Sequence, residues 1–395
     1  MAELTERDLS ATSSASRPAA AAGVPDGGRS AHAKVRSRKD GAAIPLDEVD
    51  KRLMNHLQSS FPLDPEPFAR VAAELEMPLD EVLSRTRRLL DGRIIREITP
   101  IFDTRTLGYS SMLVAAKVDS EHPHRAARII NSHPGVSHNY LRDHEFNLWF
   151  TLATPPESAL GLDGTLNLLQ ELTGATSIRQ LPTLTMFKIN MNLEMEGDTA
   201  ALAAKVEAVP PRELERQPYD EHDIAVIRAL QGPMAAVERP YDAAAAKLGL
   251  STEALLAHLE QMIERKILRR VAAILFHRRA GFSANGMGVW KVAPEDVAEV
   301  GGRMAAVRGI SHCYERPTYK DWPYSVFTMA HGRSKDECDA VLDSIATEHG
   351  LHGADRAVLY SSTEYKKIRL HYFTDDYADW EAEMTAGRIA ARSSG

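Results

Sequence analysis

A chain of 395 residues is long enough for two or more domains, since single hydrophobic cores rarely grow beyond about 250–300 residues. Its 44% hydrophobic and 26% charged residues suit a globular protein, and no run approaches the roughly 20 apolar residues that span a bilayer. The start lacks the apolar core of a secretory signal and two cysteines, Cys313 and Cys338, are too few for a disulfide framework, so a reducing cytoplasm is the expected address.

Residues 1–44 are rich in Ala, Ser, Gly and Pro and read as a disordered tail. They carry seven Lys/Arg and five Asp/Glu, a net of +2, which leaves −10 for the remainder of a chain whose total is −8. That sign is wrong for a protein whose main partner is a nucleic-acid backbone. Residues 45–106 then show apolar positions at helical spacing: Val49, Leu53 and Leu57; Phe68, Val71, Ala72 and Leu75; Val82, Thr86, Leu89 and Leu90. Three helices follow, with Pro78 suited to open the third, and a short β segment at 93–100 closes a winged helix-turn-helix unit. Residues 107–193 change to strand and helix alternation: strands at 112–118, 135–142, 146–153 and 177–189, helices at 123–132 and 156–172. The order βαββαβ is that of a ferredoxin-like sandwich.

After a linker at 194–218 the pattern starts again. "LDEVDKRLMNHLQ" from Leu46 aligns with "YDEHDIAVIRALQ" from Tyr219, and "FARVAAELEMPLDEVLSRTRRLLDGRIIREITPIF" with "YDAAAAKLGLSTEALLAHLEQMIERKILRRVAAIL", where Ser251 is a good N-cap with Glu253 in the first turn. Residues 219–280 are a second helix-turn-helix domain with its β segment at 266–273. Residues 281–375 are a second βαββαβ domain, with elements at 286–292, 294–307, 310–316, 322–330, 334–349 and 354–370. Residues 376–395 form a C-terminal tail. The predicted fold class is therefore α+β, a tandem duplication whose two halves could pair as a pseudo-dimer within one chain; association of further copies is left open.

The most informative repeat is "SHNYLRDHEFNLWFTL" from Ser137 and "SHCYERPTYKDWPYSVFTM" from Ser311. Side chains alternate across a strand, so His138, Tyr140 and Arg142 are expected on one face and Ser137, Asn139 and Leu141 on the other, with His312, Tyr314 and Arg316 arranged alike. Each half presents an imidazole, an aromatic hydroxyl and a permanent cation in a row about 13 Å long. Arginine binds carboxylates in a bidentate manner and histidine exchanges protons near neutral pH. Such a row suits a flat, acidic ligand in need of protonation. A single histidine on a strand is more often structural; what singles this set out is that it is kept in both halves while most polar identities in the aligned helix-turn-helix segments are lost. His144 and His331 lie near the rows without duplicates. Tyr319, Lys320, Trp322 and Tyr324 are readable as a stacking wall or as the buried face of a strand. No common zinc, dinucleotide, P-loop or nucleophile-elbow motif is present and the histidines are scattered, so a zinc site is not expected. Arg85, Arg87 and Arg88 on the third helix could touch DNA, but the second copy lacks the cluster and a two-headed reader needs equivalent heads. A DNA-binding, ligand-sensing regulator is the second reading.

The helix-turn-helix followed by βαββαβ resembles the AsnC/Lrp regulators. More specifically, "SHNYLRDHEFNLWFTL" with "SHCYERPTYKDWPYSVFTMAHG" resembles the paired signatures of the siroheme decarboxylases of haem d1 and alternative haem biosynthesis, with two usual subunits fused over roughly residues 45–375. The resemblance implies non-oxidative loss of carbon dioxide from the C12 and C18 acetates of siroheme, giving 12,18-didecarboxysiroheme, with the iron arriving in the substrate. It implies His312 and His138 as proton donors. Arg142 and Arg316 would be carboxylate anchors, Tyr140, Tyr314, Tyr319 and Trp322 would bound the plane, and His144 and His331 would lie beside the substrate.

Overall fold

The structure, a computed structural model, describes residues 44–189, 218–276 and 284–393, with side chains to residue 386. The expected tail and linker fall almost wholly outside these residues, as do Ala280–Ser283 of the second copy.

The first helix-turn-helix unit is α1 (Glu48–Ser59), α2 (Pro67–Leu75) and α3 (Leu79–Asp91), followed by strand β1 (Ile95–Phe102). Asp47 caps α1 in a capping box with Asp50, and Pro78 caps α3, where its missing N–H costs nothing. The first sandwich runs β2 (Ser110–Lys117), α4 (Pro123–Ser132), β3 (Val136–Arg142), β4 (Leu148–Thr154), α5 (Gly161–Thr173), β5 (Ser177–Leu181) and β6 (Thr185–Ile189). The second helix-turn-helix unit is α6 (Glu221–Leu230), α7 (Asp242–Leu248) and α8 (Thr252–Glu264) with β7 (Leu268–Leu275). Asp220 and Asp223 repeat the capping box, and Ser251 accepts from Ala254 N at 3.1 Å. The second sandwich is β8 (Ala284–Trp290), α9 (Val297–Ala306), β9 (Ile310–Glu315), β10 (Val326–Gly332), α10 (Lys335–His349) and β11 (Arg356–Lys367).

The two halves are interleaved. The wings β1 and β7 pair with each other in an antiparallel ribbon, and both helix-turn-helix units share one apolar core, in which Phe61 packs on Tyr241. The remaining strands form one sheet in the order β5-β2-β4-β3-β11-β8-β10-β9-β6. The single strand expected at 177–189 is broken: Pro182 cannot donate to a ladder, so β5 ends on β2 of its own half while β6 pairs with β9 of the other. β11 performs the same exchange without a break, its first residues pairing with β8 and its last with β3. Only residues 182–184 separate the two edge strands β5 and β6, so the chain passes directly from one edge of the sheet to the other. Its inner face holds Ala115, Phe146, Trp149 and Leu181 from one half against Met287, Val289, Trp322, Phe327 and Leu359 from the other.

The expected C-terminal tail is a helix, α11 (Asp376–Ser393), that packs on the first half. Trp380 lies edge-on to His133, ring centroids 4.5 Å apart, and donates to Ser132 Oγ at 2.9 Å; Phe373 N donates to Tyr109 Oη at 2.7 Å.

Candidate functional site

β3 and β9 each carry a β-bulge at the same place. Val136 pairs with Leu152 and His138 with Thr151, so Ser137 is the extra residue; Ile310 pairs with Ala330 and His312 with Met329, so Ser311 is. The strict alternation expected from the sequence fails here, because a bulge sets two residues of one strand against one of its partner. Ser137 Oγ lies 2.9 Å from His138 Nδ1 and Ser311 Oγ 2.6 Å from His312 Nδ1. Gly135 leads into the first bulge at such close range to β4 that an added Cβ would lie 1.8 Å from Ala153 O. Past the bulge alternation resumes, and Asn139 is buried against α4, donating to Asn131 Oδ1 at 2.9 Å.

From the histidines each row runs inward as a column of mutually tilted rings. The His138 and Tyr140 rings are 6.2 Å apart and Arg142 Cζ lies 5.7 Å from the Tyr140 ring; in the second half the distances are 5.9 Å for His312 and Tyr314 and 4.9 Å for Arg316 over Tyr314. Here the expectation for the arginines has to be corrected. Arg142 and Arg316 are 7% and 8% exposed because their end of the row faces the core between the sheets. Each reaches across the pseudo-twofold to the last strand of the other half: Arg142 Nη1 donates to Leu359 O at 2.5 Å, and Arg316 Nη1 to Leu181 O. Burial pulls both guanidinium groups down to about 10, so they stay charged at neutral pH, and each Nε is buried without a partner. They hold the halves together and support the tyrosines.

Trp322 is also corrected. It is fully buried against Phe146, Trp149 and Phe327, and so is a core residue with no face for a ligand. Tyr319 donates to Gln180 O at 2.6 Å beneath Arg179. His144 lies past the end of β3, in the bend that follows Arg142. Its Nδ1 accepts from Phe146 N at 3.0 Å, it is edge-on to Trp322, and burial lowers its pKa. Both belong to the hairpin ends and not to the histidine end.

The histidine end gathers cations that the motif reading missed. Burial is the main cause that brings His138 down to about 4, and Lys367 and Arg96 add to it. Burial raises the Tyr314 hydroxyl, while Arg316, Arg105 and Arg269 pull against the rise. Arg96 and Arg269 occupy equivalent positions on the paired wings β1 and β7, so the wing ribbon sets a cation beside each row. The signal was present: these two arginines align in the repeat. Arg269 Nε is itself fixed on buried Asp103 at 2.8 Å. His331, on β10, joins the second site, with Nε2 2.6 Å from Ser311 Oγ and Nδ1 2.6 Å from Asn285 Oδ1.

The arginines that could have read DNA are spent inside the fold. Arg85 bonds Asp47 at 2.8 Å, Asp50 at 2.9 Å and Glu81 at 2.7 Å; Arg88 bonds buried Asp50 at 2.5 Å; Arg87 Nε donates to Ala236 O of the second unit at 2.9 Å. Arg85 and Arg88 neutralise Asp50, the buried carboxylate in the first turn of α1, and Arg87 ties the two helix-turn-helix units together. In the second unit Arg265 neutralises Asp223 at 2.5 Å, and His258 Nε2 lies 2.9 Å from the same carboxylate. A surface depression of about 670 Å³ on the first unit contains none of the row residues, and its lining is already paired, His56 and Arg70 both bonding Glu74. Among the described residues no group of three or more His, Cys, Asp or Glu is arranged to hold a metal ion, and no helix is long and apolar enough to cross a membrane.

Comparison with known proteins follows the same division of the chain. The family described as the AsnC-like ligand binding domain matches residues 106–188 and 279–366, and that described as the siroheme decarboxylase NirDL-like HTH domain matches 50–96 and 223–269. A siroheme decarboxylase of Hydrogenobacter thermophilus is 38% identical over 86% of this chain and 98% of its own length. The crystal structure of the siroheme decarboxylase NirDL superposes with a TM-score of 0.69 at 33% identity, covering 87% of this chain and all of that one. A second structure, in co-complex with an iron-uroporphyrin III analogue, gives 0.67 at 32% identity, covering 86% of this chain and 99% of that one.

Proposed function

Since the chain belongs to the siroheme decarboxylase family, with both domain kinds present twice and the two usual subunits joined in one chain, we propose that it removes the C12 and C18 acetate carboxylates of siroheme at the histidine ends of its two rows. The observation that carries the residue assignment is the convergence, at those ends, of a serine-held histidine, a neighbouring tyrosine ring and wing arginines that no composition count reveals. The substrate is a flat, iron-bearing tetrapyrrole with many carboxylates. Arg96, Arg105, Arg269 and Lys367 anchor carboxylates, in place of the buried Arg142 and Arg316. Tyr140 and Tyr314 border the plane. No organic cofactor takes part, the iron enters with the substrate, and a cytoplasmic setting fits both.

In each decarboxylation the bond between the acetate methylene and its carboxylate breaks, carbon dioxide leaves, and the electron pair stays on the methylene carbon beside the ring. A proton then converts that carbon to a methyl group, so each turnover of two acetates consumes two protons. His312 delivers a proton from Nε2, since its Nδ1 is occupied by Ser311. His138, held near 4 by burial, Lys367 and Arg96, is neutral at neutral pH until a substrate carboxylate arrives; the incoming negative charge offsets both cations and raises its affinity for a proton. Protonation at the first site is thereby coupled to binding. Closure of the site around the macrocycle removes water and favours loss of the carboxylate charge.

Mixed anaerobically with siroheme, the purified protein is expected to yield a product lighter by two carbon dioxide units. His312→Ala should slow this by 100-fold or more, the usual range for a general acid. Full turnover by the double variant His138→Ala, His312→Ala would refute the histidine assignment.

A further inference from the structure

The two serine-held histidines differ in what lies behind the serine. In the first half Ser137 Oγ meets Thr151 Oγ1 at 2.7 Å, and Thr151 Oγ1 also accepts from His138 N at 3.1 Å, so the chain of hydrogen bonds ends on a hydroxyl that holds no charge. In the second half the register equivalent of Thr151 is Met329, whose side chain offers no hydroxyl to the serine. Ser311 is paired instead with His331, and His331 with Asn285. His331 and Asn285 face each other across β10 and β8; the register-equivalent pair in the first half is Ala153 and Ser111. Only the second row is therefore backed by a group that can store a proton.

We propose that His331 is the proton reservoir of His312, acting through Ser311 and held in orientation by Asn285. This rests on the decarboxylase reading and names a positioning residue within it.

Asn285 Oδ1 only accepts, so His331 keeps a proton on Nδ1 in every state. In the loaded state His331 is an imidazolium whose Nε2–H points to Ser311 Oγ, Ser311 donates to His312 Nδ1, and His312 is neutral with its proton on Nε2. When the methylene carbon takes that proton, the Ser311 proton moves to His312 Nδ1 and the His331 Nε2 proton moves to Ser311 Oγ. The carbon has gained one proton and His331 has lost one. The spent state is again fully hydrogen-bonded, with His312 Nδ1–H donating to Ser311 and Ser311 donating to His331 Nε2, so all three contacts of 2.6 Å fit both states. The positive charge waits one hydroxyl away from the reacting carbon and never needs to rest on the donor itself. Half-buried His331 then refills from water, ready for the second of the two protons a turnover requires.

The test uses the full chain and siroheme under anaerobic conditions. His331→Gln and Ser311→Ala are each expected to lower kcat by 10-fold to 100-fold with KM changed less than about twofold, because substrate anchoring is untouched. The double variant should be no slower than either single, since both cut one chain. Ser311→Thr, which keeps the hydroxyl, should recover most of the rate, and added imidazole should rescue His331→Gly. Wild-type kcat in His331→Gln, or losses that multiply in the double variant, would overturn the relay. A second readout is independent of turnover: in ¹⁵N spectra the ring shifts of His312 should move on His331→Gln as they do on Ser311→Ala. If they move while the wild-type protein leaves siroheme intact, the relay stands and the decarboxylase reading falls; if they do not move, the relay falls whatever the activity.

Discussion

His133 shows how one side chain ties the chain's last helix to its first sandwich. It is buried beneath Trp380, its Nδ1 accepts from Gly135 N at 2.9 Å, and burial, with Lys366 nearby, brings it down to about 3; His138 falls to about 4 for similar reasons. Both are neutral when folded and gain protons near the ordinary value of 6.5 when unfolded. Their contribution is complete above about pH 6.5 and is lost as the pH falls towards 4, so the denaturant midpoint should drop steadily across that window. His133→Asn, whose Oδ1 can replace the ring acceptor, is expected to flatten the drop measured by unfolding titrations at pH 7, 5.5 and 4.5. At this scale the sequence is an uneven guide. The chemistry of the rows is legible in His-x-Tyr-x-Arg, but not which end is wet. That depends on the opposite half, whose Leu181 and Leu359 carbonyls capture the arginines.

Among the elements, the last strands carry the exchange between halves. Lys188 of β6 donates to Val307 O at 2.9 Å, and Lys366 of β11 donates to Asn131 O at 2.8 Å and His133 O at 3.1 Å, each at the end of the other half's helix. Thr185-Met-Phe-Lys188 and Thr363-Glu-Tyr-Lys366 are thus a repeat with a shared task, readable in the sequence once the strand break at Pro182 is known. Lys188→Met should cost about 1.5–3 kcal/mol by removing the charged donor from Val307 O, which keeps only its bond from Ile310 N at 3.1 Å. Hydrogen exchange should then show β6 opening before the remainder of the sheet. The helices were legible because caps and apolar spacing are local; the bulges at Ser137 and Ser311 were not, because a bulge is defined only by the register of the strand beside it. The arginines of α3 were visible but misleading, since nothing local announces that Asp50 needs them.

Across the whole molecule, the duplication predicted from the repeats becomes one continuous sheet and one shared helix-turn-helix core, an arrangement in which neither half completes its own strands. Cleaving the chain within the 194–218 linker and expressing both pieces together should give a complex that co-purifies and withstands dilution to nanomolar levels, whereas either piece alone should aggregate through its unpaired β3 or β9. Size-exclusion chromatography of the separate and joint preparations checks this. Independent, monodisperse halves would contradict the interleaved arrangement. The relay behind His312 also gains meaning from the linked halves. A symmetric pair made from one repeated gene product must carry every substitution in both copies, so a histidine gained for one site is imposed on the other. Joined in a single reading frame, the two copies are free to specialise, and His331 facing Asn285 where the first half has Ala153 facing Ser111 is what that freedom looks like.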